Sequence, residues 1–279
     1  MNPLSKYLSC SSLLLLVLFA GLISSCDEAL ESYDRTNGGN VLMAVFAHPD
    51  DETLVSPVLH QYANRGYDVI LVTATDGRLG FNENTDIEDE DELAAVRRVE
   101  LQCAAELLGA ELIHLDYEDQ LGMRDGHGAI ISQTRGLKQD LHRLFEEYQP
   151  DVIITFGPDG FSNHLDHRMV GIATTQVFLS REWDFNPSLF FTGIPTSLLD
   201  DDEWMFMGVD DQYMTVEIKF SDEEADVAIQ SALCHESQFS QEFVYGWFER
   251  LESWGNRLYF RPFTPSGGQS SDLFEKSGR

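Results

Sequence analysis

Basic residues are scarce in this chain of 279 residues, which carries 18 Lys and Arg against 48 Asp and Glu, a formal charge of −30 at pH 7. Lysine is rarer still, with only Lys6, Lys138, Lys219 and Lys276. Nucleic acid is excluded as a partner, because phosphate-backbone binding needs clustered Lys and Arg. Adhesion to anionic lipid through a basic patch is excluded for the same reason. Cysteine is also sparse, with four residues: the two outside the N-terminal segment, Cys103 and Cys234, are too few for a disulfide framework, and neither has the spacing of a zinc knuckle. There is no internal repeat. Apolar content is not lacking, since 43% of residues are hydrophobic and 11% aromatic. That is enough for a substantial core and argues against disorder. Most of the carboxylates then read as a solvating surface.

The first residues read as an address. Lys6 supplies positive charge, and Leu13 to Ile23 is an apolar run of eleven residues. That is the length of a secretory h-region and too short to cross a bilayer. It ends in Ile23-Ser24-Ser25-Cys26, which resembles the lipobox of bacterial lipoproteins, where the Cys is lipidated and becomes the new N-terminus. The expected organisation is a signal peptide over 1–25, a lipidated Cys26, a tether over 26–40, one domain over 41–263 and a loose tail over 264–279. Acyl chains on Cys26 would hold the protein to a membrane of the cell envelope with no spanning helix. Cys103 and Cys234, each in an apolar helical context, are expected to be small buried hydrophobes.

Within the body, apolar runs rich in β-branched residues alternate with helical patterns. Val41 to Ala47, Asp68 to Thr75, Glu111 to Leu115 and Asp151 to Phe156 read as buried strands, with Leu189 to Thr192 as a fifth and Met214 to Phe220 as an edge strand. Helices are expected over Pro57 to Arg65, Leu93 to Leu108, Gly136 to Tyr148 and Met169 to Ser180. Another opens at the capping box Ser221-Asp222-Glu223-Glu224. This alternation predicts an α/β fold, Rossmann-like and doubly wound, with a mostly parallel sheet covered by helices on both faces. Ligands of such sheets sit outside the carboxyl ends of the strands.

Polar residues concentrate at those ends. After the first strand comes Ala47-His48-Pro49-Asp50-Asp51-Glu52, in which His48 and Asp51 make a workable half of a metal site and Asp50 could serve as a base. After the fourth comes His164-Leu165-Asp166-His167, where the two His are i and i+3 on an opening helix and share a face. One can complete the ligand set while the other reaches the substrate. Three protein ligands with an open position is the arrangement of catalytic zinc.

Ala47–Glu52 resembles the AHPDDE signature of the PIG-L (LmbE-like) family of N-acetylglucosaminyl deacetylases. Thr73 to Gly80, Arg97-Arg98-Val99-Glu100-Leu101 running to Gly109, His164 to His167 and His235-Glu236-Ser237-Gln238 are similar to further family segments, in order. The resemblance implies metal ligands at His48, Asp51 and His167, a general base at Asp50, and His164 as the group that stabilises the oxyanion or protonates the leaving amine. It also implies substrate contacts from Arg97, Asp119 and His235. Zn²⁺ is the implied ion, and Fe²⁺ or another divalent metal suits the same two His and one carboxylate. Leu165 stands where relatives carry Pro, and no basic residue lies between Ser221 and His235, where relatives often have one.

The implied reaction is removal of an acetyl group from an N-acetylated sugar or glycoconjugate. His164 must be protonated to help, and Asp166 is expected to raise its pKa. Two rivals stand beside this reading: hydrolysis of a non-sugar amide, and a lipid-anchored protein that holds sugar without cleaving it. The mark of the latter would be a missing base or ligand, and none is missing. His60, His114, His127 and His142 read as structural or surface residues. The aromatic stretch Phe239 to Phe263 reads as core or a lid, with a sugar-stacking platform as the alternative.

Overall fold

Strand β1 (Val41–Phe46) is buried along its whole length, as its unbroken apolar run requires. The computed structural model describes residues 39–200, 203, 205–265 and 268–275. The leader, Cys26 and nearly all of the expected tether lie outside the described residues. After β1 come α1 (Ser56–Asn64), β2 (Asp68–Thr75), α2 (Glu90–Leu108), β3 (Glu111–Tyr117), α3 (His127–Tyr148) and β4 (Val152–Phe156). A single turn, α4 (Gly160–Asn163), leads to α5 (Leu165–Phe178) and β5 (Ser188–Pro195). The chain continues through β6 (Gly208–Val209), β7 (Val216–Lys219), α6 (Asp222–Ala232), α7 (Gln241–Ser253) and β8 (Arg257–Pro262).

The sheet runs β3-β2-β1-β4-β5-β8-β7, with β6 pairing β5. β3, β2, β1, β4 and β5 are mutually parallel; β8 is antiparallel to both β5 and β7. The mostly parallel α/β sheet expected from the sequence is therefore present. The order reverses between β1 and β4, so a crevice opens outside their carboxyl ends, the usual ligand position in such sheets. Both histidine-bearing loops leave from that crevice.

Helix ends follow local chemistry. Asp89 caps α2 by accepting the Glu92 N–H, drawing one carboxylate of the acidic 83–92 stretch into structure, and Gly109 closes the helix in the left-handed region at φ 71°. The capping box of α6 is formed on both sides, Ser221 to Glu224 and back.

Two expectations need correction. Cys103 and Cys234 are not separate buried hydrophobes but a disulfide, with Cα atoms 6.0 Å apart. α2 packs against α6, which brings the two Cys to bonding distance across 131 residues, a pairing that no local spacing announces. The stretch Phe239 to Phe263 follows the core reading: it forms α7 and β8, with Trp247 and Phe260 buried in the core. The tail is not loose over its described part. Ser270 bridges to Val216, the Tyr62 hydroxyl donates to Asp272 at 2.8 Å, and Leu273 is buried. Leu273→Ala is expected to cost about 2–5 kcal/mol of stability through transfer and cavity terms, read as a lower urea midpoint.

Candidate metal centre

The loop after β1 is built around its own carboxylates. Asp51 Oδ2 accepts the N–H groups of Ala47 at 3.0 Å and His48 at 2.8 Å, which turns the loop back over the strand end. Asp50 sits at φ 116°, a left-handed conformation that costs energy for a residue with a Cβ. Two contacts hold it there. Its N–H donates to Glu52 Oε2 at 3.1 Å, and its Oδ2 accepts from Arg97 Nη2 at 2.8 Å. Arg97 also donates to the carbonyls of Pro49 and Gly77. A Cβ at Gly77 or Gly80 would collide with that guanidinium, so both positions need glycine for Arg97 to pass.

The loop after β4 supplies the other two histidines. His164 caps α5: its Nδ1 accepts the Asp166 N–H at 3.3 Å, which leaves Nε2 as the protonated nitrogen of the neutral ring. His167 lies one turn on and stacks on Phe156 with ring centroids 4.1 Å apart. Its Nδ1 donates to the Gly160 carbonyl at 2.9 Å, so the lone pair is on Nε2. His48 is oriented in the opposite sense: Nε2 faces Asp166 Oδ2 at 3.2 Å and Asp119 Oδ1 at 3.5 Å, leaving Nδ1 free to bind.

Those free atoms converge. His48 Nδ1 and His167 Nε2 are 3.3 Å apart, His167 Nε2 is 3.0 Å from Asp51 Oδ1, and His48 Nδ1 is 3.5 Å from Asp51 Oδ2. Ligands at about 2.0–2.1 Å in a tetrahedron are separated by about 3.3 Å, which is the spacing of the two histidine nitrogens, while their contacts with Asp51 end on different oxygens of its carboxylate. Each histidine has its far nitrogen fixed by an oxygen acceptor, the outer-shell arrangement that metal-binding imidazoles use. His164 also brings a ring nitrogen within 4.8 Å of His48 and His167.

Charge favours a cation here. Burial pushes the His48 pKa down, but Asp119, Asp166 and Asp51 outweigh it and hold the pKa well above its ordinary value. Burial acts upward on Asp51, yet His167 and His48 keep its carboxyl well below the usual range. A divalent ion on Nδ1 would answer the same carboxylates that otherwise keep a proton there. The donor set thus fits a metal of the zinc type.

Asp50 borders this cluster with its side chain partly open to solvent. Burial pushes its carboxyl up to about 6, against the pull of Arg97. His164 is exposed at the rim, and desolvation, followed by the neighbouring His48 and His167, lowers its pKa. Asp166 raises it, as expected, but is outweighed. Asp166 is fully buried with its carboxylate turned toward His48 and the Gln120 N–H, because the first turn of α5 points it away from the residue two positions earlier. Asp166→Asn is expected to weaken metal affinity about 10–100-fold, as loss of an outer-shell acceptor does, measured by competition with a chromophoric chelator.

The three residues expected to touch substrate are buried, with polar atoms engaged by protein partners. Arg97 is buried and spends its head group on Pro49, Gly77 and Asp50. Asp119 is buried, accepts the N–H groups of Leu79 and Gln120, and helps orient His48. His235 is fully buried and pairs with Glu52, whose carboxylate raises its pKa against the effect of burial. Glu52 and Glu100 carried no role in the sequence reading. Glu100 accepts both the N–H and the hydroxyl of Ser237, each at 2.7 Å. Both lie inside quoted motifs, and only the packing shows what they hold.

A family model described as PIG-L, GlcNAc-PI de-N-acetylase, matches residues 43–178. Residues 43–178 are thus similar to the PIG-L family. The match runs from β1 to α5 and so contains His48, Asp50, Asp51, His164 and His167. A 1D-myo-inositol 2-acetamido-2-deoxy-α-D-glucopyranoside deacetylase of Mycobacterium sp. (strain KMS) is 29% identical over 67% of both chains. Another, from Corynebacterium glutamicum (strain R), is 36% identical over 46% of this chain and 49% of its own. A mycothiol S-conjugate amidase of Streptomyces coelicolor is 31% identical over 49% of this chain and 51% of its own. For these last two, the chain spans about half the length of the relative. Among solved structures, the N,N'-diacetylchitobiose deacetylase of Pyrococcus horikoshii aligns at TM-score 0.61 and 21% identity, covering 85% of this chain and 89% of that one. A 4-carboxy-2-hydroxymuconate hydratase aligns at TM-score 0.60 and 15% identity, covering 84% of this chain and all of that one. Likeness at that level shows the fold, and the fold is shared by a hydratase, so the reaction must be argued from the site.

Proposed function

We propose that this protein is a metal-dependent amide hydrolase that removes an acetyl group from the nitrogen of an N-acetylated sugar conjugate. The observation that carries the proposal is the convergence of His48 Nδ1, His167 Nε2 and the Asp51 carboxylate at 3.0–3.5 Å, beside an Asp50 carboxylate that Arg97 holds by one oxygen. The PIG-L similarity and the names of the relatives, deacetylases and an amidase, support the same reaction class.

An amide resists hydrolysis because water is a weak nucleophile and the amine a poor leaving group. A divalent ion on His48, Asp51 and His167 supplies Lewis acidity, polarising the carbonyl and acidifying water. Asp50 takes the proton from the attacking water, for which a carboxyl raised to about 6 is well matched at neutral pH. Arg97 holds Oδ2, and among the described residues Oδ1 accepts no hydrogen bond. His164 presents Nε2–H to the oxygen that becomes negative as the carbonyl carbon turns tetrahedral. The proton held at Asp50 then passes to nitrogen, the C–N bond breaks, and acetate and a free amine result. A neutral His164 is sufficient for this role, so its lowered pKa is no obstacle.

The leader supports a location at the cell envelope with Cys26 as the lipidated residue. Radiolabelled palmitate should enter the wild-type protein in a bacterial host and not Cys26→Ser. For the reaction, purified protein is analysed for bound metal and given a panel of N-acetylated sugars and non-sugar amides, with amine release as the signal. Bound metal with amine from sugar conjugates is expected. Amine from non-sugar amides alone would reassign the substrate, and no amine from any substrate would overturn the enzyme reading.

A further inference from the structure

The Cys103–Cys234 disulfide closes a ring of contacts that begins and ends on Asp50. One arm runs from Asp50 N–H to Glu52 Oε2, from Glu52 Oε1 to His235, and so to the adjacent Cys234. The other runs from Asp50 Oδ2 to Arg97, two turns of α2 before Cys103. Between the arms, Glu100 binds Ser237 through its N–H and its hydroxyl. Arg97, Glu100 and Cys103 are spaced i, i+3 and i+6, so successive turns of α2 hold the Pro49–Asp50 loop, the turn after α6 and Cys234, with the contacts moving round from the buried side to the exposed one. Asp50, at φ 116°, holds an unfavourable backbone conformation only while its surroundings impose it. Cys103 is exposed and Cys234 half-buried, so a reductant can reach the bond from solvent.

We propose that this disulfide is a reducible clamp that positions Asp50, so that thiol–disulfide exchange at α2 and the turn after α6 sets turnover at the crevice. A dithiol reductant would supply two electrons and two protons. The S–S bond breaks into thiols at Cys103 and Cys234, and the reductant closes into its own disulfide. The turn carrying His235 and Ser237 is then held to α2 by non-covalent contacts alone, and the Asp50–Glu52 segment loses part of its support. The metal ligands are anchored independently, Asp51 on the Ala47 and His48 amides and His167 on Gly160, so metal binding should persist. The effect on turnover rests on the reading of Asp50 as base; the effect on the loop does not.

The test compares oxidised protein, protein treated with a small dithiol, the same sample reoxidised, and the Cys103→Ser and Cys103→Ser/Cys234→Ser variants. Three readouts are taken: amide hydrogen exchange, zinc content, and kcat and KM on the best N-acetylated sugar. Reduction is expected to speed exchange about tenfold or more at residues 50–55 and 235–238 with little change in β1, β2 and β4, while zinc stays bound. kcat should fall about tenfold or more with KM changed less than twofold, since small misplacement of a catalytic group has effects of this order. Reoxidation should restore the wild type and leave both variants unchanged. Unaltered exchange at 50–55, or an equal rise across all strands, would overturn the clamp in favour of general stabilisation. If no substrate is turned over by any form, the enzyme reading fails and the exchange result still decides the clamp. Should the variants not fold, the reduction and reoxidation of wild type decide it alone.

Discussion

Asp50→Asn is expected to lower kcat/KM by about 10²–10⁴-fold while the protein keeps its fold and its metal. The magnitude is that of removing a positioned general base. Asn keeps the size of the side chain and an oxygen that Arg97 can hold, so the loop geometry should survive; what is lost is the group able to take a proton from water. Asp50→Ala is a harsher version, since it also frees Arg97, a buried cation whose other partners among the described residues are the Pro49 and Gly77 carbonyls. The two variants therefore separate chemistry from architecture. If Asp50→Asn retained wild-type turnover with metal bound, the base would have to be sought elsewhere. Zinc content and steady-state kinetics on one substrate make the comparison.

The parallel half of the sheet was legible because strands buried on both faces admit little besides β-branched and other apolar residues, as in Val41–Phe46 and Val152–Phe156. The antiparallel addition was harder to read. β8 does alternate, with Leu258 and Phe260 buried and Arg257, Tyr259 and Arg261 less so, but a dense run of aromatics before it obscures where the helix ends. The residues of the centre were legible because a short signature carries both a metal-ligand pattern and a base. Their orientation was not. Arg97 could be placed near the crevice from its motif, yet that its head runs inward depends on the room left by Gly77 and Gly80. Asp166 was paired with its sequence neighbour His164, and the helix turn gave it to His48 instead. The disulfide depends on how α2 and α6 meet, which is a tertiary fact.

The acidity of the chain also acquires a finer reading. Among the described residues the buried acids are Asp51, Glu52, Asp68, Asp76, Glu100, Asp119 and Asp166. All but Asp68 gather on the loops and helices that frame the crevice, each facing a histidine, an arginine or backbone and hydroxyl donors. An unpaired buried carboxylate would be costly or would take up a proton. Here the carboxylates hold the histidines in orientation and set a negative potential that a divalent cation can satisfy. The rest of the surface charge needs no such account.

Stripping the metal should be as damaging as losing the base. Dialysis against a strong chelator is expected to reduce turnover by about 10³-fold or more, since several kcal/mol of transition-state stabilisation depend on Lewis acidity at the reacting carbonyl. Re-addition of Zn²⁺ should restore it, because the two histidines are held in place by protein acceptors and do not depend on the ion for orientation. His167→Ala removes one of the three converging groups and should abolish both tight zinc binding and activity, with no recovery on adding metal. His164→Ala is the informative contrast. Lying at the rim and capping α5, it should lower kcat while leaving zinc at one equivalent. Loss of zinc in His164→Ala together with retention in His167→Ala would exchange the two roles; the ring nitrogens of His48, His164 and His167 lie within 4.8 Å of one another.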